Sequence, residues 1–152
     1  MTNMTPLLRI VTIIGFALTS ALLGMAAFSA ASWREAYVFL PREHAVEEAM
    51  RQVVERQRNL YDGTGEFVSF AHGDVERDRS LMDLPWDSFP TDDFFFDAAS
   101  LETGNLRLRA LPRPAAVQTL GIRPRMFVSE LSPDGEVVSS RWFPPIGSEL
   151  AP

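Results

Sequence analysis

The chain has 152 residues and a formal net charge of −6, and it contains neither cysteine nor lysine. The absence of cysteine excludes disulfides, thiolate nucleophiles, iron–sulfur ligation and thioether attachment of haem. All acidic residues follow residue 32, and such an acidic region disfavours nucleic acid and anionic lipid as partners.

Residues 10–32 carry no charge and predict a transmembrane helix that follows a short N-terminal tail, residues 1–9. At about 1.5 Å of rise per residue this helix spans roughly 34 Å, slightly more than a typical hydrocarbon core. Trp33, Arg34 and Tyr37 follow it as an interfacial group. A cleaved signal peptide is the alternative, but the apolar stretch exceeds the roughly 7–15 residues usual for such a peptide. We therefore expect a retained membrane anchor.

Small residues recur along this stretch at intervals that place them on one side of a helix. They let another helix approach closely in lipid, although small residues are common in membrane helices for other reasons too. No side chain here is ionisable, so the stretch has no proton relay, ion site or imidazole for a metal cofactor. We predict that it packs against integral membrane protein subunits within the lipid bilayer. The candidate packing residues are Ala17, Ser20, Ala21, Gly24, Ala27 and Ala31.

The region after the span, residues 33–152, begins with a second helical pattern at about 42–60. Apolar residues recur there at spacings of three and four, with Arg, Glu and Gln between them. Pro41 fits the first turn of such a helix, and Gly63 and Gly65 end it. One face of this amphipathic helix is therefore expected to lie on a sheet.

Alternating polar and apolar residues then predict an antiparallel sheet over about 94–142. The four predicted strands are 94–98, 106–111, 125–131 and 136–142, with a short helix at 114–120 and a sheet edge at 66–71. Residues 72–93, rich in Asp, Arg and Pro, predict an irregular surface loop. The predicted fold class is α+β: a single N-terminal transmembrane helix that continues into an amphipathic helix packed on about four antiparallel strands.

Five aromatic residues crowd a short window of the chain, and alternate residues of a strand face opposite sides of its sheet. Either the 72–93 loop folds over the outward-facing rings, or a protein partner covers them. The candidate partner-surface residues are Trp86, Phe89, Phe94, Phe95 and Phe96.

Catalytic and metal-binding patterns are missing from the sequence. His44 and His72 are its only imidazoles, and neither has the spacing of a metal site. The acidic residues at 83–97 suit calcium by chemistry, but their spacing departs from that of a calcium loop, and a solvated loop is favoured. There is no glycine-rich phosphate loop and no nucleophile elbow. We therefore predict no enzyme activity, no catalytic residues, no cofactor and no metal.

Three segments carry a family resemblance: the apolar stretch that leads into VEEAMRQVVERQRNLYDGTGEF, then FFFDAASLETGNLRLRALPRP, then SPDGEVVSSRW. Their arrangement resembles the type IV pilin and pseudopilin family. The chain is atypical, because the Gly15-Phe16 pair follows apolar residues instead of a charged leader, and Ser20 stands where the family has a glutamate. The resemblance implies a pilin-like domain outside the cytoplasmic (inner) membrane of a bacterium, in the periplasm.

From these features we expect a non-catalytic, single-span accessory subunit of a larger membrane protein complex, such as a photosynthetic or respiratory assembly. Its helix would pack in the bilayer and its domain would lie on the outer face. One alternative is a minor pilin or pseudopilin of a type IV pilus or type II secretion machine. Another is a membrane-tethered binding module. The charges flanking the span do not fix its orientation, since arginines lie on both sides.

Overall fold

The computed structural model describes residues 6–120, 122, 123 and 125–144, with side chains described from Val11 onward. Its helices are α1 (Pro6–Arg34), α2 (Leu40–Thr64), α3 (His72–Arg77) and α4 (Pro114–Leu120). Its strands are β1 (Phe94–Ser100), β2 (Leu106–Pro112), β3 (Met126–Leu131) and β4 (Val137–Phe143). The predicted α+β class, with a long N-terminal helix and four antiparallel strands, is confirmed.

Helix α1 has 29 residues and is long and apolar enough to cross a membrane. Every described side chain from Val11 to Arg34 is exposed. The Thr19 hydroxyl donates to the Gly15 carbonyl oxygen at 2.8 Å, so the helix backbone satisfies this polar group. Helix α1 therefore presents an apolar surface that lipid or other helices can cover.

A π-helical turn, Glu35–Phe39, precedes α2, which holds Pro41 in its first turn. Proline has no N–H and cannot donate to the carbonyl four residues earlier, so a change in the hydrogen-bond pattern is expected just before it. The chain divides into two compact units after Val38, within this turn. Helix α1 belongs to the first unit, and α2 and the sheet belong to the second.

Helix α2 forms one side of the core of the second unit. Its buried stripe is Val46, Ala49, Met50, Val53 and Gln57, and it contacts β2 and β3. The helix ends at Gly65, whose φ of 75° is easily adopted only by glycine, and the Gly65 N–H donates to the Tyr61 carbonyl at 2.7 Å. The amphipathic helix predicted at about 42–60 therefore packs one face against the sheet, as expected.

The sheet has the strand order β1-β2-β3-β4, and all neighbours are antiparallel. Phe96, Ala110 and Phe127 lie in one row across three strands and are buried. Because side chains alternate along a strand, Asp97, Arg109 and Val128 lie in the next row on the opposite face. The sheet therefore has an inner face in the core and an outer face away from it.

The two edges of the sheet differ. Phe70 pairs with Ala98 of β1 through two backbone hydrogen bonds of 2.9 and 2.8 Å, so the segment predicted as a sheet edge at 66–71 contributes a single bridge. No described segment pairs with the free edge of β4. Val137 and Val138 on β4 are 46% and 60% exposed. One edge is thus partly covered and the other is open.

Residues 72–93 contain more structure than the predicted loop, namely α3 and two 3₁₀ turns, Leu81–Asp83 and Trp86–Ser88. Met82 and Asp83 have left-handed φ values of 62° and 51°. Arg56 donates from Nε to the Met82 carbonyl at 2.7 Å and pairs with Asp83 at 2.6 Å. Helix α2 therefore holds this strained turn in place.

Candidate functional site

The six predicted packing residues of α1 lie on one helix face. At roughly 100° per residue, their positions fall within an arc of about 120°. All six are exposed, and a Cβ added at Gly24 would meet nothing within 4 Å. Helical geometry thus gives α1 one face along which a partner helix can approach closely, and the packing itself stays a prediction.

Four of the five predicted partner-surface aromatics lie inside the domain. Trp86, Phe89, Phe94 and Phe96 are exposed by 0%, 7%, 1% and 2%, so the prediction that they form a partner surface is wrong. The 72–93 segment folds over β1, and the Trp86 ring lies edge-on to Phe89 and Phe96 at centroid distances of 5.2 and 5.9 Å. Its Nε1 donates to the Leu81 carbonyl at 2.7 Å.

The fifth aromatic residue, Phe95, is half-buried on the outer face of β1. The His72 ring lies 4.6 Å from it, and the Arg113 guanidinium lies 4.1 Å from its centroid. Arg113 also pairs with Glu76 at 2.6 Å, and this hydrogen bond and charge lower the pKa of the Glu76 carboxyl. His72 is thus part of an aromatic and ionic surface cluster.

The acidic residues considered for calcium do not converge on one point. Asp83 pairs with Arg56 at 2.6 Å, Asp93 with Arg42 at 3.0 Å, and Asp97 with Arg109 at 2.8 Å. Among the described residues, no group of three or more His, Cys, Asp or Glu side chains is placed to hold a metal ion. Neither this acidic segment nor the surroundings of His44 and His72 supply a cation site there.

An open groove of about 590 Å³ follows the outer side of β1. Its polar side chains bond mostly to one another: the Ser69 and Ser100 hydroxyls are 3.1 Å apart, and Asp97 pairs with Arg109. No described buried side-chain nitrogen or oxygen lacks a hydrogen-bond partner. The groove therefore has no buried, unpartnered polar side chain that would point to a ligand.

The outer face of the sheet carries the most distinctive charge arrangement. Arg109 on β2 and Arg141 on β4 are both register partners of Val128 on β3. Val128 is only 6% exposed, as expected if the long arginine stems cover it from both sides. Arg107 and Arg109 alternate with apolar residues along β2 and so share a face, but only the strand register brings Arg141 beside them.

Comparisons of this chain with known protein families, curated proteins and solved structures find no match. The class of protein is therefore defined by architecture alone. A long apolar N-terminal helix followed by an amphipathic helix and an antiparallel sheet is a pilin-like arrangement.

Proposed function

We propose that this protein is a non-catalytic, single-span accessory subunit of a larger membrane protein complex, such as a photosynthetic or respiratory assembly. In this proposal α1 packs against integral membrane subunits in the inner membrane of a bacterium. The domain that begins with α2 lies on the periplasmic side and contacts the outer face of the assembly. No enzymatic step is assigned to it.

The observation that carries this proposal is the exposed small-residue face of α1. Among the residues whose side chains are described, the core of the second unit contains none from α1 and begins at Val46. The small residues of α1 therefore have no part in that core, whereas they suit close helix packing in lipid. A helix that only anchored the domain would need apolar length but no such face.

A matched pair of substitutions tests the proposal. Ala17 and Ala26 are nine residues apart and so lie on opposite sides of α1. Ala17→Leu places a bulky side chain on the small-residue face, and Ala26→Leu makes the same change on the other side. We expect Ala17→Leu to reduce co-purification of integral membrane subunits in mild detergent by about tenfold, equivalent to ~1.4 kcal/mol, and Ala26→Leu to leave it unchanged.

Quantitative mass spectrometry of the purified complexes measures this difference. A native protein that runs as a free monomer, under conditions that keep other membrane complexes intact, would contradict the proposed role. Equal losses with the two variants would show that the small-residue face is not the contact.

The second candidate function is a minor pilin or pseudopilin, supported by the pilin-like arrangement of the helix and the sheet. It requires processing of the N-terminal segment, for which Gly15-Phe16 is the matching dipeptide. The intact mass of the protein isolated from membranes decides between the two. A mature N-terminus at Phe16 would support the pilin function and overturn the accessory-subunit proposal.

A further inference from the structure

The outer face of the sheet displays arginines above carboxylates. We call Arg107, Arg109 and Arg141 the arginine face. The side chains of Arg107 and Arg109 are 45% and 41% exposed, whereas their partners Glu130 and Asp97 are 23% and 13% exposed. The cationic groups are therefore outermost, although the chain has a net charge of −6.

The arginine face still has hydrogen-bonding capacity. Arg109 donates to Asp97 through Nε and one terminal nitrogen, at 2.8 and 3.0 Å, which leaves its other terminal nitrogen available. Arg107 lies 3.7 Å from Glu130, which also accepts from Asn105. Arg141 forms no ion pair with a described carboxylate, and its guanidinium lies 4.7 Å from the Phe143 ring centroid.

We propose that the arginine face binds an acidic segment of a neighbouring protein subunit in the same membrane. This inference rests on the proposed accessory-subunit function and names the chemistry of the partner. Arginine next to aromatic rings is a common combination at protein interfaces, because the planar group bonds carboxylates in pairs and loses little entropy there. Arg109 and Arg141 stand about two strand spacings apart, roughly 10 Å, which suits a segment lying over Val128.

Charge favours an acidic protein segment over an anionic bilayer surface or a second copy of this chain as the partner of the arginine face. An anionic bilayer surface would interact with the whole acidic domain within about one Debye length, which is roughly 10 Å. A second copy would bring the same net negative charge, so the two acidic domains would repel each other outside the contact. An acidic segment that lies over the arginine face is closest to its outermost arginines, and salt screens the more distant carboxylates of the domain.

The size of the face also indicates a partner already held nearby. Four strands of about seven residues present roughly 19 Å by 23 Å, or about 440 Å². Stable soluble complexes bury about 800 Å² on each partner. A contact of half this size contributes to binding when a membrane anchor raises the effective concentration of the partner.

The lysine-free chain permits a site-specific test. Arg141→Lys keeps the charge and introduces the only lysine side chain, which a carbodiimide couples to a carboxylate at contact distance. Arg58→Lys is the matched control, since Arg58 is an exposed arginine of α2 that pairs with Glu136. The coupling is carried out with the full chain in intact membranes, and peptide mass spectrometry locates the product.

We expect the lysine of the Arg141→Lys variant to couple to aspartate or glutamate of another integral membrane protein. The yield should be at least about fivefold higher than with the Arg58→Lys variant, and the difference should decrease at high salt. If the lysine of Arg141→Lys coupled only within its own chain, only to a second copy, or no more than the lysine of Arg58→Lys, the inference would be overturned.

The failure of this inference is distinguishable from the failure of the proposed function. Loss of the complex in Ala17→Leu, together with no coupled product from Arg141→Lys, would overturn the inference and leave the accessory-subunit proposal standing. Coupling of Arg141→Lys to a membrane protein whose association is insensitive to Ala17→Leu would support the inference. It would overturn the packing of α1 on which the accessory-subunit proposal depends.

Discussion

The two long helices have similar lengths but opposite roles in burial. Helix α1 has 29 residues, is strongly apolar, and exposes every described side chain up to Arg34. Helix α2 has 25 residues and is mostly polar, yet it buries five side chains in the core. The difference teaches that the periodic position of apolar residues, and not their number, decides which helix builds the domain.

The largest expected effect on the free energy of unfolding comes from comparing the same substitution, methionine to alanine, on the two helices. Met50 on α2 is 1% exposed and Met25 on α1 is 63% exposed. Met50→Ala removes buried methylene groups and leaves a cavity, so we expect it to lower the free energy of unfolding by about 2–5 kcal/mol. Met25→Ala is expected to change it by less than about 0.5 kcal/mol. Urea unfolding of the domain in detergent, followed by tryptophan fluorescence, measures both, and equal effects would show that α1 takes part in the core.

A smaller effect is expected from a polar residue on the buried face of α2. Gln57 is fully buried; its Nε2 donates to the Val68 carbonyl at 2.6 Å and its Oε1 accepts from the Val68 N–H at 2.9 Å. Gln57→Met preserves the volume but leaves both Val68 groups unpaired, which should cost about 2 kcal/mol. Gln52→Met, at a half-buried position of the same helix, should cost under about 0.5 kcal/mol. Urea midpoints compare the two variants, and a neutral Gln57→Met would mean that water replaces the amide.

The smallest effects concern the end of α2. Gly65 has a φ of 75°, whereas Gly63 is helical and nothing lies within 4 Å of an added Cβ at either position. Gly65→Ala should destabilise the domain by about 1 kcal/mol, because a Cβ is disfavoured in the left-handed region. Gly63→Ala should stabilise it by about 0.5–1 kcal/mol through helix propensity. Thermal unfolding monitored by circular dichroism gives the signs, and a shift in the same direction for both would contradict this account of the helix end.

Much of the fold follows from local patterns in the sequence. The uncharged stretch, the three-and-four spacing after Pro41 and the alternation around Arg107 each reflect one periodicity, and helices and strands occur at those places. Helix α3 was missed because His72–Arg77 is polar and too short to show a periodicity. The left-handed pair Met82 and Asp83 could not be predicted either, since its support comes from Arg56, 26 residues earlier in the chain.

The candidate surfaces were less predictable than the fold. Whether Trp86 and Phe89 lie inside or outside depends on where a loop folds, and no local pattern specifies that. The arginine face needs the register of β3 and β4, which brings Arg141 beside Val128. Gln57 had a usable signal, because it continues the heptad spacing of Met50 on the apolar stripe and is a polar residue there.

The unlike edges of the sheet have a consequence for how the domain opens. Strands β2 and β3 have neighbours on both sides, and β1 is fastened by the Phe70 bridge. β4 is paired on one side only, and α2 reaches it through Glu47, which accepts from Trp142 at 2.7 Å. Local unfolding should therefore begin at β4, which should have the lowest free energy of opening in the sheet. The inner strands should exchange their amide hydrogens only through global unfolding.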